Sequence, residues 1–284
     1  MTDMHQLRLP TSWGELRLVG GSRAGEATVV LLPQLRLALD AGRPARAVVP
    51  MQHVLVSHGH ADHVGGLVAW ASQRQLLGLP PGQVLTPAGI AADVAELLAV
   101  AARLEGGKPY GVVVRAAAPG DTVDLRPDFA LRIIGTSHWV QTIGCIVDWS
   151  RRKLRSELAG YDEAAIVTLR AQGEEVTETV VTPLLAYLAD TGPETLAELA
   201  TARASEVIVT ECTFLRPEER ERAHRFGHTH LDDIVAIAPQ LACRHLVLTH
   251  LSRRHRLGPA SQAIRRALKD RFAGELHLLN SEWE

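Results

Sequence analysis

The densest group of chemically capable side chains is a stretch of six residues that contains His58, His60, Asp62 and His63. Imidazole and carboxylate groups are the usual protein ligands of zinc and related divalent ions. An apolar run precedes this stretch, and flanking glycines allow a tight turn before a helical pattern resumes. The four side chains are therefore predicted to lie on a loop between a strand and a helix. There they can bind one metal centre or two neighbouring ones.

The spacing of these residues, His58-x-His60-x-Asp62-His63, resembles the signature of the metallo-β-lactamase superfamily. In that family the first two histidines bind one metal and the Asp-His pair binds the other. Members with di-iron redox chemistry have glutamate at the position of His60, so the resemblance favours a nitrogen-rich, zinc-type hydrolytic site. A histidine-rich surface loop without a metal is the alternative that the motif leaves open.

Length and composition are typical of a globular protein with a large core. The chain has 284 residues, of which 46% are hydrophobic and 22% are charged, and its formal net charge is -2. This balance creates no overall field that attracts nucleic acid, so an RNA contact would need a local basic patch. Charged side chains near the N-terminus argue against a signal peptide, and no apolar run approaches the roughly 20 residues that span a membrane. Three widely spaced cysteines, Cys145, Cys212 and Cys243, indicate a reduced, cytoplasmic protein.

The hydrophobic pattern predicts an opening run of strands, followed by alternating strands and helices. The predicted strands cover residues 15–19, 28–32, 35–40, 52–57, 84–86, 112–115, 122–125, 130–134, 145–149, 175–181, 184–189, 206–211 and 245–249. The predicted helices cover residues 66–77, 89–104, 162–172, 194–204, 217–224 and 230–241. This order indicates an α/β fold in which sheets and helices form layers.

Four further candidates lie at or just after the ends of predicted strands, namely His138, Asp190, Glu211 and His250. Residue type alone leaves their roles open. A solitary histidine is more often structural than a ligand, and only its place at a strand end makes His138 a candidate. Asp190 can equally cap the helix predicted at residues 194–204.

Three of these strand ends resemble motifs of tRNase Z, the branch of the superfamily that processes tRNA 3′ ends. His138 is similar to its third histidine ligand, Asp190 to its bridging aspartate, and His250 to its last ligand. The branch usually has tyrosine at the position of Cys145 and glycine at the position of Ala189. These departures leave the ligand residues intact.

Glu211 and His228 resemble a pair that is specific to tRNase Z and that lactamases and glyoxalases lack. Their combination is the most discriminating feature of the sequence. The turn that contains His228 has a structural alternative, because Thr229 can cap the helix that follows.

The resemblance implies a dinuclear zinc centre. One metal would be held by His58, His60, His138 and Asp190, and the other by Asp62, His63, Asp190 and His250. A bridging hydroxide would attack the phosphorus of a phosphodiester. Asp62 would orient or deprotonate that nucleophile, and His228, held by Glu211, would donate a proton to the leaving ribose oxygen.

A basic run precedes the helix predicted at residues 162–172, and it contains Arg151, Arg152, Lys153 and Arg155. Such a run is commonly a solvated face or turn. Here it interrupts the sheet pattern as an insertion would, and residues 150–173 resemble the short form of the basic tRNase Z arm that grips tRNA. The arm would make sequence-independent phosphate contacts.

Together, the motifs imply one metallo-β-lactamase domain over residues 1–284, a four-layer αββα sandwich with a short basic arm. The implied activity is a zinc-dependent endoribonuclease that removes the 3′ trailer of precursor tRNA. The resemblance also implies a homodimer, and the hydrophobic pattern predicts no membrane association. Two alternatives stay open: a hydrolase of the same fold acting on a small phosphodiester, thioester or lactone, and a non-catalytic RNA-binding protein.

Overall fold

Two β-sheets pack face to face, with helices on the outer side of each, in a computed structural model that describes residues 4–281. Within this range the first sheet consists of β1 His5–Thr11, β2 Gly14–Arg23, β3 Ala27–Leu32, β4 Leu37–Ala41, β5 His53–Leu55, β6 Gly82–Pro87 and β7 Val112–Ala117. The second sheet consists of β8 Thr122–Arg126, β9 Phe129–Gly135, β10 Ile143–Leu154, β11 Thr177–Tyr187, β12 Val207–Glu211, β13 His245–Thr249 and β14 Glu275–Leu278.

The helices divide between the two outer faces and the connections. They are α1 Ala61–Val64, α2 Leu67–Leu76, α3 Ala91–Leu104, α4 Glu163–Ala171, α5 Glu194–Glu198, α6 Ala200–Arg203, α7 Arg220–Arg225, α8 Leu231–Ile237 and α9 Leu257–Leu268. Short 3-10 turns cover Pro33–Leu35, Ala88–Ile90, Ser156–Leu158, Pro217–Glu219 and Ala238–Gln240. In the part of the chain that is described, no helix has the length and apolar composition required to cross a bilayer.

The two sheets share one plan. In the first, β1 to β4 are antiparallel neighbours and β4 to β7 are parallel. In the second, β8 to β11 are antiparallel and β11 to β14 are parallel. Because the carboxyl ends of parallel strands meet at one edge of a sheet, each sheet offers one edge where loops can build a site.

Three apolar clusters hold the layers together. The cluster between the sheets contains Leu39, Phe129 and Tyr187. A second cluster lies between the first sheet and its helices and includes Trp70, and a third lies between the second sheet and its helices and includes Ile264. Burial of both faces of both sheets confirms the predicted αββα sandwich.

The structure differs from the sequence-based elements where charge interrupts the apolar pattern. The basic run does not leave the sheet, because β10 continues to Leu154 and pairs along its length with β11. The two strands predicted at residues 175–189 are one strand, and its pairing shifts at a bulge beside Val147. The strands β1 and β14 and helix α9 were not predicted.

Thr229 was considered as a helix cap, and that interpretation is wrong. The side chain of His230 caps α8 by accepting a hydrogen bond from the backbone N–H of Asp232 at 3.1 Å. The hydroxyl of Thr229 instead donates to the carbonyl of Thr191 at 2.7 Å. This contact ties the turn before α8 to the loop after β11.

Candidate metal centre

The seven residues proposed as metal ligands lie together where the loops of both sheets meet. Four belong to the segment after β5, which ends in α1: His58, His60, Asp62 and His63. Three follow strands of the second sheet: His138 after β9, Asp190 after β11 and His250 after β13. Gly42, directly after β4, lets the segment that contains Asp62 pack closely against the first sheet. A Cβ on Gly42 would lie 1.8 Å from the carbonyl oxygen of Asp62.

The first predicted ligand set is assembled in full. His58, His60, His138 and Asp190 each place one donor atom within 4.8 Å of the others. His58 Nε2 lies 2.9 Å from His60 Nδ1 and 3.8 Å from Asp190 Oδ2. Four nitrogen and oxygen donors at this spacing can surround one divalent ion.

The second set meets the first at Asp190. Asp62, His63 and His250 form their own group within 4.8 Å. Asp190 Oδ2 lies 3.4 Å from His63 Nε2 and 3.2 Å from His250 Nε2. Its carboxylate therefore lies between the two groups, in position to contact an ion in either one.

His138 fits the role of a metal ligand on direct structural grounds. Its Nδ1–H donates to the carbonyl of Gly227 at 2.9 Å, which leaves the lone pair on Nε2. That nitrogen is buried and has no hydrogen-bond partner in the structure. Gly227 has a φ of 63°, and a Cβ there would lie 2.9 Å from His138 Cα, so a glycine is needed for this contact.

Burial and neighbouring carboxylates shift the pKa values of the histidines at the centre in opposite directions. Burial lowers the pKa of His58 to about 2 and also lowers the pKa values of His60 and His138, so their lone pairs are free for a cation. Burial would also lower the pKa of His63, but Asp190 and Asp40 raise it well above its usual value. Positive charge is thus favoured beside these carboxylates, and a divalent ion would supply it.

Asp40, which sequence reasoning missed, supports the ligand His63. It is fully buried at the end of β4, and its carboxylate contacts His63 Nδ1 at 2.7 Å. The same carboxylate accepts hydrogen bonds from the backbone N–H and hydroxyl of Ser57 and from the hydroxyl of Tyr187. A carboxylate that binds the far nitrogen of a ligating histidine fixes the orientation of its ring. The available signal was an aspartate ending an otherwise apolar strand.

The ends of three strands at the centre are held in left-handed backbone conformations. Asp40, Ala189 and His250 have φ angles of 61°, 53° and 58°. This region costs a residue with a Cβ roughly 1–2 kcal/mol. The glycine usual at position 189 in the tRNase Z branch suits this conformation, whereas alanine adopts it under strain.

Glu211 and His228 form the pair expected from the sequence. His228 Nδ1 lies 2.8 Å from Glu211 Oε1, which also accepts the backbone N–H of Thr191 at 2.7 Å. The Thr213 hydroxyl donates to the other oxygen of Glu211. Burial alone would lower the pKa of His228, but the Glu211 carboxylate raises it to about 9. The carboxylate thereby favours the charged form of His228, whose ring lies next to Asp190 and His250.

The basic run lies outside the centre, on the long β10–β11 hairpin. All four basic side chains are exposed, but their surroundings differ. Arg152 pairs with Glu175, and Arg155 pairs with Glu157. The guanidinium of Arg151 lies 5.0 Å from the centre of the Trp149 ring, and Lys153 follows it on the same face of the strand. Helix α4, capped by Asp162, closes this hairpin.

The fold and the ligand centre define a metal-dependent hydrolase of the β-lactamase superfamily, whose domain model matches residues 27–251. The chain is 31% identical to the chloroplastic tRNase Z TRZ2 of Arabidopsis thaliana over 248 residues, which cover 86% of this chain and 70% of that protein. It is 29% identical to tRNase Z TRZ1 of the same plant, over 86% of this chain and 88% of that protein. Within the superfamily, the chain belongs to the tRNase Z family.

Solved structures support the fold. Human tRNase Z, short form, matches with a TM-score of 0.58 at 15% identity, over 93% of this chain and 95% of that one. The metallo-β-lactamase fold protein YhfI of Bacillus subtilis matches with a TM-score of 0.60 at 15% identity, over 93% and 95%. At this identity the likeness concerns the architecture alone.

Proposed function

We propose that this protein is a zinc-dependent endoribonuclease that removes the 3′ trailer of precursor tRNA. The observation that carries the proposal is the pair formed by His228 and the buried Glu211, which lies beside the two groups of proposed metal ligands. The names of its relatives, tRNase Z, point to the same substrate. A hydrolase of lactams or thioesters has less need of such a proton donor.

The residues present fit two divalent ions. One would be held by His58, His60, His138 and Asp190, and the other by Asp62, His63, Asp190 and His250. When bound, two zinc ions would supply Lewis acidity and lower the pKa of a bound water towards roughly 7.

Asp62 is the residue proposed to position the nucleophile. Its Oδ2 accepts the backbone N–H of Gly25 at 2.7 Å and lies 3.3 Å from His250 Nε2. Burial would raise the pKa of Asp62, but the hydrogen bond from His250 keeps it well below its usual value. The carboxylate is thus ionised and fixed, as a group that orients water or accepts its proton must be.

His228 is the residue proposed to protonate the leaving ribose oxygen. Glu211 holds its Nδ1 nitrogen, which leaves Nε2 as the donor. A divalent ion close by would lower the pKa of His228 from about 9 towards neutrality, where a general acid works best.

The cleft above the centre suits a polyanion. It has a volume of about 360 Å³, and Arg222, Arg253 and Arg254 line it. Guanidinium groups bind phosphate oxygens through charge-assisted hydrogen bonds. We assign Arg222 and Arg254 to the phosphates that flank the one being cut, because Arg253 already pairs with Glu26 at 3.0 Å.

The arm, the homodimer and the cytoplasmic location stay part of the proposal. The hairpin of β10 and β11 would contact tRNA phosphates, and in a dimer it would present the substrate to the partner's centre. Relatives carry the names chloroplastic tRNase Z and nuclear ribonuclease Z, so location varies within the family.

A comparison of substrates tests the proposal against the runner-up, a hydrolase of small molecules. The zinc-loaded protein would be given a 3′-extended precursor tRNA, a small activated phosphodiester and a thioester in parallel. We expect kcat/KM to be highest for the precursor by at least about a hundredfold, because only the RNA reaches both the cleft and the arm. Efficient thioester turnover without RNA cleavage would show that the protein is a hydrolase of small molecules and would refute the proposed function.

A further inference from the structure

Exposed aromatic side chains are few in the described range, residues 4–281, and their positions are informative. Those more than a third exposed are Trp139 at 63%, Tyr161 at 53% and Phe226 at 41%. Trp139 directly follows the ligand His138, Phe226 precedes the turn that contains His228, and Tyr161 lies on the arm. Large rings left in solvent beside a reaction centre indicate a surface that a ligand covers.

Trp139 lies beside the cleft, against His60, which is one of the residues that line it. Its ring centre lies 5.3 Å from that of His60, at an interplanar angle of 38°. The backbone beneath it is held by Gly227, where a Cβ would lie 3.0 Å from the nitrogen of Trp139. The exposed ring is therefore held in place near a predicted metal ligand.

The neighbouring loop adds a second ring and a positive charge. Phe226 is adjacent in sequence to Gly227, so it belongs to the turn that packs against residues 138 and 139. The guanidinium of Arg222 lies 5.3 Å from the centre of its ring, and Arg222 also lines the cleft. Rings with a nearby guanidinium form the usual surface for single-stranded nucleic acid, in which bases stack and phosphates pair with arginine.

We propose that Trp139 is a stacking platform for an unpaired nucleobase next to the phosphodiester that is cut, with Phe226 and Arg222 on the adjoining segment. This inference rests on the proposed ribonuclease function and adds the means by which the strand is held. Stacking tolerates any base, so the platform positions the RNA and does not read its sequence.

The test compares Trp139→Ala with Trp139→Phe on two precursor tRNAs, one intact and one with abasic nucleotides on both sides of the scissile phosphate. We expect Trp139→Ala to lower kcat/KM on the intact precursor about tenfold or more, mainly through KM, and Trp139→Phe to retain most of it. On the abasic precursor, all three proteins should be alike. Leu104→Ala, which removes a side chain that is 84% exposed on α3, is the control.

Equal losses by Trp139→Ala on both precursors, or no loss at all, would overturn the platform while leaving tRNA cleavage intact. Reduced metal content in Trp139→Ala would also overturn it, because the ring would then serve to support His60. Fluorescence provides a readout that does not depend on cleavage. A single-stranded heptaribonucleotide should quench wild-type tryptophan emission but not that of Trp139→Phe. Quenching in a protein that leaves precursor tRNA uncut would support the platform and refute the proposed substrate.

Discussion

Among the side chains at the centre, His228 is proposed to be a proton donor and not a metal ligand. Its Nδ1 contacts Glu211, although its ring also lies near the proposed ligands Asp190 and His250. If it acts as a proton donor, its loss must slow the chemical step without loss of metal.

We expect His228→Ala to lower kcat on precursor tRNA about 10²- to 10⁴-fold, which is the usual contribution of a general acid. Metal content, measured by mass spectrometry after dialysis, should equal that of the wild type. Glu211→Gln should lower kcat as well, because His228 would lose its charged partner. A metal deficit in His228→Ala would make it a ligand and would contradict the assigned role.

Asp40 is the second residue whose role can be isolated. Asp40→Asn removes the charge that holds His63 Nδ1 while keeping a side chain of similar size. We expect zinc affinity, measured by competition with a chelator, to fall about 10- to 100-fold. The matched control is Asp148→Asn, which removes a buried carboxylate that pairs with Arg132 elsewhere in the same sandwich. If both variants bind zinc alike, the orienting role of Asp40 is refuted.

A residue of the centre could be predicted from the sequence when its partners lie close to it along the chain. His58, His60, Asp62 and His63 are predictable because their short spacing is itself the motif. Asp40 contacts His63 because β4 pairs with β5, and it contacts Tyr187 because the two sheets pack together, so nothing in its local sequence indicates a partner. Buried support for a site is set by tertiary structure and escapes local reasoning.

Among the secondary-structure elements, the hairpin of β10 and β11 shows why the sequence-based prediction differs from the structure. Its first strand was predicted to stop at residue 149, before the basic run, because charged residues break the apolar pattern. The pairing of β10 with β11 nevertheless continues to Leu154 and Thr177, since backbone hydrogen bonds need no apolar side chains in a hairpin exposed to solvent. Helix α9 was not predicted, although its apolar face packs on the second sheet.

The charges of the hairpin predict unequal roles for its basic residues. Residues 150–176 contain as many acidic as basic side chains, and Arg152 and Arg155 already pair with glutamates. Arg151 and Lys153 on the same face of β10 are therefore better placed to bind phosphates.

We expect the double variant Arg151→Ala/Lys153→Ala to weaken precursor tRNA binding and to reduce the slope of log K against log salt by roughly 0.7–0.9 for each phosphate that the variant no longer neutralises. The double variant Arg152→Ala/Arg155→Ala removes the same charge and should have the smaller effect. Turnover of a small phosphodiester should be unchanged in both. If the two double variants weaken RNA binding equally, Arg151 and Lys153 are not the preferred phosphate-binding residues.

At the scale of the whole molecule, the proposed ligands come from both halves of the sandwich. His58, His60, Asp62 and His63 follow the first sheet, whereas His138, Asp190 and His250 follow the second. Bound metal would therefore link the two sheets at one edge. Binding that occurs only in the folded state stabilises it.

Removal of metal should destabilise the protein. Free zinc at a hundred times its dissociation constant contributes about 2.7 kcal/mol for each site, so chelation should lower Tm by about 5 °C or more in scanning calorimetry. Addition of zinc should restore Tm, and His63→Ala should respond less than the wild type. A Tm that is independent of chelator would contradict a metal link between the sheets.

We propose that this centre, when it holds two metal ions, cuts precursor tRNA at the end of its mature sequence. The most direct test is to incubate the zinc-loaded protein with a 3′-extended precursor tRNA and to map the product ends, beside an Asp190→Ala control that removes the carboxylate between the two ligand groups. We expect one cut directly after the discriminator base, absent from the control. An uncut precursor, or the same cut in the control, would contradict it.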